Sequence, residues 1–135
     1  MRYLNDFELI AQHQSLLEEP RHELLYKGGS TGFFTSASDV VAQYQVGDYF
    51  LIATVLEVPK QEKLECYVFD KAFKKKAYRK YTGWFTSAFM VTGQQVLSHN
   101  SLEIVLNKSI RIQLHLQKKK MPWPGVSLSL QPHFN

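Results

Sequence analysis

One cysteine, Cys66, is all the chain carries. No disulfide can form within it, and no multi-cysteine zinc site can be built. In the run Leu64-Glu65-Cys66-Tyr67-Val68-Phe69 nothing lowers a thiol pKa, so Cys66 reads as a small buried apolar side chain. Long apolar runs are missing too. The longest, Tyr49 to Leu56, is far too short to span a bilayer as a helix. The opening Met1-Arg2-Tyr3-Leu4-Asn5-Asp6 has no apolar signal core, and the simplest expectation is a cytoplasmic protein.

Catalytic and metal-binding signatures are also lacking. The glycine-rich stretch Gly28 to Gly32 has no lysine after its last glycine and matches no dinucleotide fingerprint, so it reads as a hairpin loop. The histidines at 13, 22, 99, 115 and 133 show no metal-ligand spacing. On a helix His99 and Glu103 would share a face, as a solvated surface pair. No serine sits in a nucleophile elbow, and no two carboxylates have a structural reason to converge. The expectation is a protein that is not an enzyme and uses no cofactor or metal.

Acid is scarce in one half only. Residues 1–70 hold five basic side chains against eleven acidic ones, a balance of −6; residues 71–135 hold eleven basic ones against Glu103 alone, a balance of +10. Such asymmetry points to an anionic partner, unless the two halves neutralise each other on folding.

At 135 residues the chain has the length of one domain, 1–135, and can bury about two-thirds of its unfolded surface. Asn5 or Asp6 can cap an amphipathic helix carrying Phe7, Ile10, Leu16 and Leu17, which Pro20 ends. His22 to Lys27 reads as a strand, and Gly28 to Gly32 turns the chain. Ser36 to Asp39 suggests a capping box before Val40 to Tyr44, with a strand as the alternative, so 36–45 stays open. Tyr49 to Val58 reads as a central strand covered on both sides, and Pro59 to Lys63 leads into a partner, Leu64 to Phe69. Ala88 to Val91 looks like a strand, while 94–106 fits helix or strand. Ile110, Ile112, Leu114 and Leu116 alternate with Arg111, Gln113, His115 and Gln117, the mark of a half-buried antiparallel strand. Lys118 to Gly125 reads as a loop, and Val126, Leu128 and Leu130 continue the alternation. The expected class is α+β and β-rich: an N-terminal helix with a curved antiparallel sheet or partly open barrel of five to seven strands.

Two clusters stand out. The first holds Lys71, Lys74, Lys75, Lys76, Tyr78, Arg79, Lys80, Tyr81 and Trp84; six of the ten residues 71–80 are basic, and eight of the eighteen aromatics fall between Tyr67 and Phe89. The second is Lys118, Lys119 and Lys120 with Trp123 between two prolines. Cations that follow phosphates and rings that stack bases are what single-strand binding requires, and Arg111 and His115 could add phosphate contacts. Lysines guarding a sheet edge, with the rings packed in the core, explain the same residues. The leading expectation is non-enzymatic binding of single-stranded DNA or RNA. The alternative is an inhibitor or immunity-type module docking an acidic protein.

Overall fold

The computed structural model describes residues 1–12, 21–56, 62–82, 90–119 and 125–134. They form β1 (Arg2–Tyr3), β2 (Phe7–Ala11), β3 (His22–Tyr26), β4 (Gly29–Thr35), β5 (Asp39–Val46) and β6 (Tyr49–Leu56). There follow β7 (Lys63–Phe69), β8 (Lys75–Thr82), β9 (Val91–Ser98), β10 (Ser101–Leu106), β11 (Ile110–Lys119) and β12 (Gly125–Phe134). Three sheets result, with orders β1-β5-β6-β7-β8, β12-β11-β10-β9 and β2-β3-β4, and every ladder is antiparallel.

The five-stranded sheet is the middle layer. Leu51, Ala53, Val55, Leu64, Cys66 and Val68 meet Leu102, Ile104, Ile112, Leu114, Leu116 and Leu128 of the four-stranded sheet. On its other face Phe50, Ile52, Tyr67 and Phe69 pack on Phe7 and Leu24 of the three-stranded sheet. That is why β6 and β7 read as near-continuous apolar runs: both their faces are covered. β8 and β12, the facing edges of two different sheets, lie side by side. On the opposite flank the Tyr44 hydroxyl donates to Gln94 Oε1 at 2.6 Å, and Gln94 Nε2 donates to the Val41 carbonyl at 3.2 Å. The first core is thus walled on two flanks, which is barrel-like only in a loose sense.

The expected helix-plus-sheet class is wrong: no helix occurs among the described residues, and twelve strands replace the five to seven expected. Phe7–Ala11 is a strand paired with His22–Tyr26, so Phe7 and Leu9 point inward while Ile10 is exposed. Over so short a segment Phe7 and Ile10 satisfy the helical period by coincidence, and the ladder to β3 decides. The rest of the expected helix, residues 13–20, lies outside the described residues.

Smaller corrections follow the same logic. The chain reverses not over Gly28 to Gly32 but at Lys27-Gly28, a two-residue hairpin turn with φ of 50° and 81°. Segment 36–45 resolves as β5, and 94–106 as β9 and β10 joined at His99-Asn100, so His99 and Glu103 are not on a helix. Lys118 and Lys119 end β11 and Gly125 opens β12, rather than forming a loop; 120–124 are outside the described residues, as are 57–61 and 83–89. The alternation along β11 is as expected: Ile112, Leu114 and Leu116 are buried, Ile110 packs against the core, and Arg111, His115 and Gln117 are exposed.

Candidate nucleic-acid interface at the lysine-rich end

The middle sheet sets the geometry. Between β5 and β6 the chain turns in two residues, Gly47-Asp48, and Gly47 takes φ of 61°, a left-handed value that glycine adopts without strain. β7 runs antiparallel to β6, so the β7–β8 connection arrives at the same end of the sheet. There Asp70 organises the backbone. Its carboxylate accepts the amides of Ala72 at 2.9 Å and Lys74 at 3.0 Å, and the Phe73 amide donates to the Asp70 carbonyl at 2.9 Å. The Lys74 amide, more than any other group, holds the Asp70 carboxyl below its ordinary range. Phe73 is left in the left-handed region at φ of 61°. Its ring packs against Phe7, Tyr26 and Phe50 in the second core.

β11 delivers the second cluster to this end. Leu116 and Asn100 are linked through the Leu116 amide to the Asn100 carbonyl at 2.9 Å, and through Asn100 Nδ2 to the Leu116 carbonyl at 2.9 Å. The two lysine clusters then flank one turn. Lys71 Nζ lies 3.7 Å from Asp48 Oδ1, and Lys118 Nζ lies over the Tyr49 ring, 6.0 Å from its centroid. A Cβ added to Gly47 would stand 3.0 Å from that same Nζ, so the missing side chain makes room for the ammonium group.

Lys71, Lys74, Lys75, Lys76, Lys118 and Lys119 are all exposed here. Against them stand Asp48 and Asp70, the latter 3.6 Å from Lys76 Nζ. Both pairs are open to solvent, which screens them, so neither holds its lysine firmly. Among the described residues, six cations against two carboxylates leave this end positive.

Other expected site residues fall elsewhere. Arg79 and Lys80 are neighbours on β8 and so point to opposite faces. Arg111 and His115 project from the outer face of the four-stranded sheet. There Arg111 Nη1 lies 3.8 Å from Glu103 Oε1, and His115 Nδ1 is 2.7 Å from Ser101 Oγ. Seven residues of strand put Arg111 about 23 Å from Lys118, too far to join the same short contact. Trp84, Lys120 and Trp123 lie outside the described residues.

The two tyrosines are half-buried, each with one side against the scaffold. The Tyr78 ring packs against Tyr67, centroids 5.1 Å apart and planes tilted by 45°, and its hydroxyl donates to buried Glu65 at 2.6 Å. Burial, then the Glu65 bond, pushes its phenol well above the ordinary value. Tyr81 packs against the first core. Lys75 Nζ sits 5.2 Å from the centre of the Tyr78 ring, so a cation covers part of that face.

Sequence reasoning missed Gly47, Asp48, Tyr49 and Asn100, and placed His99 in the wrong company. The turn at 46–48 was legible; that Lys71 and Lys118 would converge on it was not, since no local pattern encodes the meeting. No family model matches the chain, and comparison with curated proteins and with solved structures yields no match.

Proposed function

We propose that the chain binds single-stranded DNA or RNA without catalysis, through phosphate contacts made by its lysine-rich end. The observation that carries this reading is the meeting of Lys71 and Lys118 on either side of the Gly47-Asp48 turn. Cations from two distant stretches of chain lie at one end, spaced over several strand widths of about 4.8 Å, a scale that suits successive phosphates. Lys74, Lys75, Lys118 and Lys119 make no ion pair with another described residue, so they are available to a polyanion. Tyr78 and Tyr81 contribute to the scaffold and not to stacking.

The test is anisotropy of a labelled oligonucleotide at several salt concentrations. Wild type should bind at low salt, with log affinity falling about 0.7 per log salt for each phosphate neutralised. Lys74→Glu with Lys118→Glu should flatten that slope by about 1.4 and weaken all sequences alike. No binding at low salt would sink the proposal and leave an acidic protein surface as the partner of this end. A slope unchanged in the double variant would move the contact elsewhere.

A further inference from the structure

We infer that a cleft beside Lys118 receives one unstacked nucleobase of the bound strand, an inference that rests on the phosphate-binding reading of this end. The cleft measures about 410 Å³ and opens between the β5–β6 turn, the β9–β10 turn and the last residues of β11. Its volume falls within the range of small-ligand sites, well beyond what a single water fills.

The lining has what a base requires. Half-buried Met1, with the outer edges of buried Val46 and Leu116 beneath it, supplies apolar surface for a flat ring, while His99, Asn100 and Gln117 supply donors and acceptors for its edge. Asn100 is held in place: Nδ2 donates to the Leu116 carbonyl, and Oδ1 accepts the Ser98 hydroxyl at 2.9 Å. One Nδ2 proton and one Oδ1 lone pair remain for a ligand. His99 and Gln117 are exposed and have no hydrogen bond to another described side chain. Lys118 stands at the rim, its ammonium seated against Gly47, where the phosphate of an inserted nucleotide would lie.

A site of this kind discriminates strandedness without the tyrosines. In a duplex the bases are paired and stacked, and extruding one costs several kcal/mol; in a single strand the cost is far smaller. Insertion of one base therefore favours single strands even where the remaining contacts are to phosphates alone.

The experiment compares two labelled probes of about ten residues, a mixed-sequence oligodeoxynucleotide and its fully abasic counterpart, on the whole chain. Wild type should bind the base-bearing probe at least about fivefold more tightly, the lower end of what one stacked base provides. His99→Ala with Gln117→Ala should remove most of that preference and leave affinity for the abasic probe unchanged. Equal binding of both probes by wild type overturns the cleft and leaves the phosphate reading intact. A preference that persists in the double variant also overturns it, assigning base contacts to another part of the chain. Failure to bind either probe at low salt refutes the phosphate reading, and the cleft with it.

Discussion

Replacing Tyr78 by phenylalanine separates the two roles a tyrosine in a lysine-rich strand can play. The hydroxyl donates to Glu65 Oε2 at 2.6 Å, and Glu65 is only 6% exposed. Lys63 Nζ lies 3.7 Å from Oε1. A hydrogen bond to a charged group contributes about 1.5–3 kcal/mol, and the buried carboxylate would lose this donor. The variant should therefore lose about 2 kcal/mol of stability, seen in urea as a midpoint about 1 M lower at an unchanged slope. Its ring, still packed on Tyr67, keeps the strand in place, so oligonucleotide affinity should stay at the wild-type value. The pH dependence has a definite sign. The Tyr78 phenol is raised in the folded state, so the hydroxyl's contribution is complete below the unfolded value of about 10 and declines as pH rises beyond it toward the folded value. The stability gap between wild type and variant should accordingly narrow above pH 10. A loss below about 0.5 kcal/mol would refute the reasoning, because it would mean that Glu65 is satisfied by another donor, such as the Tyr67 hydroxyl beside it or Thr54 across the ladder, whose hydroxyl is buried without a partner among the described residues. Loss of oligonucleotide binding with stability unchanged would return Tyr78 to the interface.

Leu114→Ala should cost about 2–5 kcal/mol by chemical denaturation, since the side chain is 1% exposed at the centre of the first core; a cost below about 1 kcal/mol would deny that this face of β11 is packed. Cys66 is fully buried, and burial, reinforced by Glu65, pushes its thiol far above the ordinary value. A thiol reagent at neutral pH should therefore react with it only as fast as the protein unfolds. Rapid reaction in native buffer would contradict the two-sided covering of β7.

What could be read from the sequence depended on whether the deciding contact was local. Ile110 to Leu116 declared a strand because one face meets the core and the other meets water, and Tyr49 to Leu56 declared a central one because neither face meets water. Phe7 and Ile10 misled because a five-residue strand holds too few positions to separate a period of two from one of 3.6. Only pairing with β3 settles it. The core role of Phe73 was not legible for another reason. Its neighbours are lysines, but an aspartate-organised turn swings its ring into the second core, and that depends on a left-handed residue which no hydropathy pattern marks.

Folding pairs part of the charge of one half with that of the other. Of the acids, Glu65 and Glu103 are taken into the sheets, where Lys63 and Arg111 stand beside them. Asp48 and Asp70 remain at the surface, beside Lys71 and Lys76. Each of these acids thus engages one cation, while Lys74, Lys75, Lys118 and Lys119 make no ion pair with another described residue where the β7–β8 connection and the end of β11 meet. A purely protective role for the edge lysines accounts for Lys75 to Lys80 on β8, an outer strand of the middle sheet. It does not account for Lys118, whose strand lies between β10 and β12 and has no open edge to guard. That lysine reaches over a glycine turn in another sheet, next to a cleft, and a solubility device has no use for such an arrangement. The position of Lys118 is therefore the strongest argument that this end of the protein holds a ligand.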